Sequence, residues 1–343
     1  MKEKNSNPKN VNQDNGNTSI SMVFQDNALL PMLYGQGDAH LSRIEKKFGV
    51  TASSRGNVLA LSGDKLNIEA GKAVLEALYA DLKKGMEIGL AQVDAAIRML
   101  PHHETPDDNH TLFGAQDLII KTMRKTIKPY SPTQANYIQA LAGNEIVFAL
   151  GPAGTGKTYI AVAMAVAMFN AQRVEKIILS RPAVEAGEKL GFLPGDLKEK
   201  VDPYLRPLYD ALHDMMPAEK LLRHMENGEI EVAPLAFMRG RTFSNAFVIL
   251  DEAQNTTPTQ MKMFLTRMGQ GSRMVITGDL SQTDLPKDVK SGLGDAVRKV
   301  VGIDGIGAVR FTDVDVVRHP LAAKIVQAYE EWDKKKKTPS SGN

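Results

Sequence analysis

The chain has 343 residues, enough for about two domains of ordinary size. Its 42 Lys and Arg residues nearly balance its 40 Asp and Glu residues, and the net charge of +2 excludes a strong overall attraction to nucleic acid. The chain has no cysteine, which excludes disulfides and thiolate metal sites and fits a reducing compartment.

Residues 1–18 are polar and low in complexity, so we expect a disordered tail. This segment has no secretory signal pattern, and no apolar run in the chain is long enough to span a bilayer. We therefore expect a cytoplasmic protein that does not associate with membranes.

Residues 19–100 are predicted to form a small α+β domain. The apolar spacing predicts a strand, two helices, two hairpin strands and two further helices, at 20–25, 28–34, 39–48, 50–53, 58–62, 64–82 and 86–100. The order of the first six elements resembles a KH module, which clamps the backbone of single-stranded RNA in a GXXG loop. Here the loop reads Gly-Gln-Gly-Asp at 35–38, so Asp38 replaces the second glycine and places a negative charge where phosphate would pass. An RNA-binding domain and a packing or assembly domain that has lost the clamp both remain open.

Residues 101–130 are expected to be a linker followed by a basic hairpin. The linker holds His102, His103 and His110, but nothing near them completes a metal-ligand pattern, so a solvated linker is favoured over a metal site. The hairpin carries three cations, Lys121, Arg124 and Lys125, which are either solvated or positioned to contact phosphate.

A phosphate-binding loop is the most specific motif in the chain. The segment at 151–158 reads Gly-Pro-Ala-Gly-Thr-Gly-Lys-Thr and matches G-x-x-x-x-G-K-[ST], between an apolar strand at 145–150 and an alanine-rich helix at 159–169. Its glycines let successive N–H groups point at phosphate oxygens, while Lys157 reaches the β- and γ-phosphates and the Thr158 hydroxyl binds Mg²⁺. All eight residues are predicted to bind nucleotide: Gly151, Pro152, Ala153, Gly154, Thr155, Gly156, Lys157 and Thr158.

Polar residues follow several further apolar strands, predicted at 176–179, 246–250, 273–277 and 307–311. Asp251 and Glu252 follow the second of these strands, so with the upstream loop they form a Walker-B pair. Asp251 then holds Mg²⁺ through its bound waters and Glu252 polarises the attacking water. Gln282 follows the third strand, where it either contacts the γ-phosphate or water or is a polar turn residue.

These motifs together resemble the PhoH family of ATPases, and within that family its YbeZ-like branch. The resemblance extends over residues 20–332 and is carried by the segments at 151–158, 180–212, 247–269, 277–286 and 316–330. It implies a single RecA-like P-loop NTPase core at 131–332, a parallel sheet with helices on both faces, followed by a basic tail at 333–343. ATP and Mg²⁺ are the implied cofactors.

The motifs are also similar to those of superfamily 1 helicases, and that similarity suggests roles for individual residues. Gln134, in a predicted helix at 133–142, falls where that group reads adenine. Asp251 and Glu252 stand in a DEAQ-like motif II, and Gln282 stands in motif III. Arg318 falls where an arginine that contacts the γ-phosphate is expected.

The resemblance also bears on assembly and function. Superfamily 1 helicases have two RecA-like lobes, whereas residues 131–332 leave room for one, so we expect a homo-oligomeric ring, a hexamer as the family implies, with Arg318 acting across the interface. The family implies ATP hydrolysis that drives RNA handling or unwinding in ribosomal RNA maturation beside a YbeY-type endoribonuclease. The alternative is an ATP-gated assembly module for a nuclease that separates no strands.

Overall fold

The computed structural model describes residues 18–100, 118–182, 197–286, 288–317 and residue 325, with backbone alone at 197–203. The chain divides into two compact units, Met1–Asp108 and Asn109–Asn343. None of the helices in the described residues is long and apolar enough to cross a membrane.

The first unit is a three-stranded antiparallel sheet with helices, in the predicted order of elements. The third strand lies in the middle of the sheet, where Leu61 is opposite Ile20 on one side and Ala52 on the other. The strands and helices are β1 Thr18–Val23, α1 Leu30–Tyr34, α2 Ala39–Phe48, β2 Thr51–Arg55, β3 Val58–Gly63, α3 Lys65–Lys83 and α4 Leu90–Arg98.

The core of the first unit follows from the periodicity of its elements. In β3, Leu59 and Leu61 are fully buried, since alternate residues of a strand face the same side. They join Ile44 of α2 and Ile68 of α3 in one apolar core. The carboxylate of Asp64 accepts a hydrogen bond from the backbone N–H of Leu66 at 3.0 Å, which caps the start of α3 as its position predicts.

The first predicted helix begins later than its pattern indicates. A 3-10 turn occupies Asn27–Leu29, and the Asp26 carboxylate accepts a hydrogen bond from the Ala28 N–H at 2.9 Å. The loop that follows α1 keeps the expected interruption: Gly37 and Asp38 have φ values of 60° and 57°. Asp38 thus adopts the left-handed backbone that a glycine adopts freely.

The strands of the second unit are β4 Ile120–Lys121, β5 Thr126–Ile127, β6 Ile146–Leu150, β7 Lys176–Arg181, β8 Ile230–Pro234, β9 Ala246–Leu250, β10 Arg273–Gly278 and β11 Ile306–Arg310. The last six form a parallel sheet in the order β11-β6-β10-β9-β7-β8, and β4 and β5 form an antiparallel hairpin. Its helices are α5 Pro132–Gly143, α6 Lys157–Asn170, α7 Leu197–Met215, α8 Ala218–Glu226, α9 Pro258–Leu265 and α10 Gly292–Val300.

The sheet is buried on both faces, as predicted for this class of fold. In β9, Phe247 and Ile249 pack into one apolar core with residues of α5, α6 and α7. Val248 and Leu250 point the other way, into a core shared with α9 and α10. The unit is therefore a parallel α/β fold with helices on both sides of its sheet, which confirms the predicted class and is consistent with a RecA-like core.

Two elements of this unit are absent from the sequence prediction. Strand β8 lies at the sheet edge, where Glu231 and Pro234 are tolerated although they weaken a strand pattern. Helix α10 begins with Gly292 and contains Gly294, both poor helix formers. A Cβ on Gly292 would overlap the carbonyl oxygen of Thr257, so close packing rather than helix propensity selects that glycine.

The basic hairpin packs against the rest of this unit through Ile120, which is buried in the core that contains residues of α5, α6 and α7. The Arg124 guanidinium donates to the carbonyl oxygen of His213 at 2.8 Å, and the Lys125 ammonium lies 2.7 Å from the Asp214 carboxylate. Two of its three predicted cations thus contact the end of α7.

Candidate nucleotide-binding site

The phosphate loop connects β6 to α6. Gly151, Gly154 and Gly156 have φ values of 138°, 81° and 83°, in the region that favours glycine. Gly151 also lies against the residue that follows β11, because a Cβ at this position would overlap the carbonyl oxygen of Phe311. The loop therefore combines the backbone of a phosphate cradle with a helix N-terminus directly behind it.

The ammonium of Lys157 lies inside this loop. Lys157 is 8% exposed, and its Nζ donates to the carbonyl oxygens of Gly151 and Pro152, both at 2.7 Å. Burial lowers the pKa of Lys157, and the carboxylates of Asp279, Asp251 and Glu252 act in the opposite direction. The surrounding negative charge thus favours the ammonium form that a phosphate requires.

Thr158 and Asp251 meet at the carboxyl edge of the sheet. The Thr158 hydroxyl donates to Asp251 Oδ1 at 2.6 Å, and the Thr277 hydroxyl donates to the same oxygen, also at 2.6 Å. Asp251 is 5% exposed. Hydroxyl and carboxylate oxygens are the donors that Mg²⁺ prefers, so these residues fit an ion bound beside the phosphates.

Glu252 is positioned by a carboxamide that the sequence analysis did not single out. Glu252 has a left-handed backbone with φ 51°, and its Oε2 accepts a hydrogen bond from Gln254 Nε2. The same Nε2 donates to the carbonyl oxygen of Gln282 at 3.2 Å, while Gln254 Oε1 accepts from the Asp279 N–H at 3.0 Å. Gln254 therefore ties the segment after β9 to the segment after β10, and the Gln282 side chain itself is exposed.

Arg181, at the end of β7, lies beside the same carboxylates. Its guanidinium nitrogens are 3.9 Å from Asp251 Oδ2 and 3.8 Å from Glu252 Oε1. The sequence analysis did not assign Arg181, although its place after a buried parallel strand was the available signal.

Gln134 is 3% exposed and uses both ends of its carboxamide inside the protein. Its Nε2 donates to the carbonyl oxygen of Thr155 at 2.9 Å, and its Oε1 accepts from the Tyr130 N–H at 2.6 Å. Gln134 thus contacts the phosphate loop, and its predicted role in reading adenine stays a prediction.

Arg318 and the three histidines of the predicted linker lie outside the described residues. The described chain reaches the phosphate loop just before Arg318: the N–H of Val317 donates to the carbonyl oxygen of Gly154 at 2.9 Å. The structure therefore brings together the predicted loop, Asp251, Glu252, Gln134 and, through its carbonyl, Gln282.

This combination of a parallel sheet, a glycine loop and an Asp-Glu pair at the strand ends defines a P-loop NTPase. A family model described as "PhoH-like protein" matches residues 126–330. The chain belongs to the PhoH family.

Curated relatives extend this similarity beyond the family model. A PhoH-like protein of Bacillus subtilis is 52% identical over 299 residues, which is 87% of this chain and 93% of that protein. A PhoH-like protein of Mycobacterium tuberculosis is 47% identical over 90% of this chain and 86% of its own length. The Escherichia coli protein PhoH is 46% identical over 57% of this chain and 56% of its own.

Among solved structures, the chain resembles the Pif1 helicase from Candida albicans at a TM-score of 0.31 and 14% identity. The likeness covers 57% of this chain and 42% of that one.

Proposed function

We propose that this protein is a Mg²⁺-dependent ATPase. The observation that carries the proposal is the 2.6 Å hydrogen bond between Thr158 and Asp251, which lie 93 residues apart in the chain. The hydroxyl predicted to bind Mg²⁺ and the carboxylate predicted to hold the same ion are adjacent, behind a loop that fits a chain of phosphates.

In the proposed reaction a water molecule attacks the γ-phosphorus, and the bond to the oxygen that bridges the β- and γ-phosphates breaks. Glu252 orients this water and accepts its proton, while Lys157 neutralises charge on the phosphates. Mg²⁺, when bound by Thr158 and Asp251, supplies further neutralisation of phosphate charge. Gln134 selects adenine and Gln282 senses the γ-phosphate, as the helicase resemblance implies.

ATP hydrolysis by the purified full chain tests this proposal. Lys157→Ala is expected to lower kcat by about 100-fold or more, because the loop loses its cation. Lys176→Ala, at the exposed start of β7, is the matched control and is expected to keep wild-type turnover. Wild-type turnover in Lys157→Ala would contradict the assignment.

The proposed role of hydrolysis is to drive RNA handling or unwinding during ribosomal RNA maturation in the cytoplasm, beside a YbeY-type endoribonuclease. Support comes from the resemblance of the motifs to those of the YbeZ-like branch and from the KH-like order of elements in the first unit. The test compares ATPase rates with single-stranded RNA and DNA across a salt series, since phosphate contacts weaken as salt rises.

The alternative is an ATP-gated assembly module for a nuclease. Displacement of one strand of a tailed RNA duplex, with and without ATP, separates the two. ATP-dependent displacement supports a motor that unwinds, whereas nuclease binding that depends on ATP without displacement supports the assembly module.

We further propose a hexameric ring in which Arg318 of one subunit contacts the γ-phosphate bound by its neighbour. A single lobe leaves the transition state short of a cation, and such an arginine raises rates by about 10³- to 10⁵-fold. Arg318→Ala should retain ATP binding and lose turnover, and mixing it with Glu252→Gln should restore partial activity. A fully active Arg318→Ala protein would end this proposal.

A further inference from the structure

We infer that Arg181 is a positioning residue of the nucleotide site: it is the internal counter-ion of Asp251 and Glu252 and shares that task with Mg²⁺. The inference deepens the proposed function and rests on the nucleotide and Mg²⁺ site that it assigns, not on hydrolysis.

The backbone fixes the position of Arg181. Strands β7 and β9 pair in parallel with Ser180 opposite Leu250, and the Asp251 N–H donates to the carbonyl oxygen of Ser180 at 2.8 Å. The next residues, Arg181 at the end of β7 and Asp251 just after β9, lie side by side at the carboxyl edge of the sheet. Their proximity therefore follows from the register of two central strands rather than from one side-chain rotamer.

The contact is electrostatic. The guanidinium lies 3.9 Å from Asp251 Oδ2 and 3.8 Å from Glu252 Oε1, longer than hydrogen bonds, so Arg181 acts as a positive charge facing both groups. Its side chain is 23% exposed beside the buried Asp251, where charges are only partly screened by water.

A cation is needed here before any metal ion binds. Asp251 and Glu252 are adjacent in the chain, and Lys157 is engaged by the carbonyl oxygens of its own loop. Without Arg181, the two carboxylates would repel each other and the incoming phosphates. Mg²⁺ held by Thr158 and Asp251 would supply the same neutralisation. Arg181 and Mg²⁺ thus substitute for each other in part.

This substitution predicts a specific thermodynamic signature. Removing the charge at 181 should weaken nucleotide binding strongly when Mg²⁺ is absent and only slightly when Mg²⁺ is saturating. A residue that merely supports the fold would weaken binding equally in both conditions.

The experiment measures the Kd of a fluorescent ADP analogue for the full chain, in excess EDTA and in saturating Mg²⁺. In Arg181→Met, the ratio of the Kd in EDTA to the Kd in Mg²⁺ is expected to rise by about fivefold or more over wild type. Arg181→Lys keeps the charge, and because the contacts are not hydrogen bonds its ratio should stay within about twofold of wild type. Arg239→Met, an exposed arginine beyond β8, is the matched control with a wild-type ratio.

An unchanged ratio in Arg181→Met, with wild-type ratios in the Lys and Arg239 variants, would overturn the inference. If Arg181→Met does not fold by circular dichroism, Arg181→Gln serves as the neutral variant. ADP binding involves no hydrolysis, so a chain that binds ADP but fails to cleave ATP would end the proposed ATPase and leave this inference standing. A wild-type chain that binds no ADP would overturn both.

Discussion

Gln134 and Thr155 are joined by a hydrogen bond of 2.9 Å from the Gln134 side-chain nitrogen to the Thr155 carbonyl oxygen, across 21 residues of sequence. The Gln134 side-chain oxygen accepts a second hydrogen bond from the Tyr130 N–H. One buried carboxamide therefore connects the start of α5 to the phosphate loop. A role in reading adenine must coexist with this structural task.

Gln134→Ala should therefore have two separable effects. Loss of the side chain leaves a buried N–H and carbonyl unpaired, so unfolding should become easier by about 1–3 kcal/mol. Loss of the predicted adenine contact should abolish any preference for ATP over GTP. Thermal unfolding measures the first effect and competition between the two nucleotides the second. If Gln134→Ala weakens the binding of ATP and GTP equally, Gln134 stabilises the phosphate loop and does not read adenine.

Thr277→Val tests the support of Asp251 from β10. The hydroxyl that donates to Asp251 Oδ1 is lost while the shape of the side chain is nearly kept, and a hydrogen bond to a charged group contributes about 1.5–3 kcal/mol. We expect a lower unfolding temperature and a higher Mg²⁺ concentration for half-maximal ATPase rate. Thr277→Ser retains the hydroxyl and should behave as wild type. Identical Mg²⁺ titrations for Thr277→Val and Thr277→Ser would show that this hydrogen bond does not position the Asp251 carboxylate.

Gln254 and Gln282 should differ in how they affect stability. Gln254 is buried and makes three hydrogen bonds around Glu252, so Gln254→Ala should lower both the unfolding temperature and kcat. Gln282 is exposed, so Gln282→Ala should lower kcat with an unfolding temperature within about 1 °C of wild type. Differential scanning calorimetry and steady-state kinetics on the same samples give both quantities. Wild-type kcat in Gln282→Ala would remove its predicted role at the γ-phosphate.

Asp38→Gly tests whether the first unit clamps RNA. Glycine adopts the left-handed backbone of this position without strain, and the substitution removes a negative charge from the loop. If the loop contacts phosphates, affinity for single-stranded RNA at low salt should rise by about two- to fivefold. Glu69→Gln, at an exposed position of α3 in the same unit, removes a negative charge elsewhere and is the control. Equal affinities of Asp38→Gly and wild type would favour a packing or assembly role.

Local patterns predict most of the fold. The strands at β6, β9 and β10 and the helices at α2, α3 and α6 are apolar or amphipathic runs with recognisable ends, such as Asp64 before α3 and Gly49 after α2. Strand β8 and helix α10 escape prediction because an edge position and close contact with a neighbouring helix set their residues. Neither condition leaves a local pattern.

The residues of the site also fall into two groups, those that a local motif predicts and those that only the folded sheet brings together. Lys157, Thr158, Asp251 and Glu252 stand in motifs whose spacing along the chain predicts their chemistry. Arg181 and Thr277 join them only because β7, β9 and β10 are neighbours in the sheet, and Gln254 reaches Asp279 and Gln282 for the same reason. Strand order is a property of the folded unit, so a reading of single segments does not recover those contacts.

The absence of a side chain at Gly151 carries a consequence for how such sequences diverge. The obstacle to any larger residue is the backbone of Phe311, which follows the neighbouring strand β11. Homologues that no longer hydrolyse ATP could have other residues at Lys157 or Glu252 and would still retain this glycine. The presence of this glycine in an inactive homologue would therefore indicate that strand packing is retained, and not that the homologue is still an active enzyme.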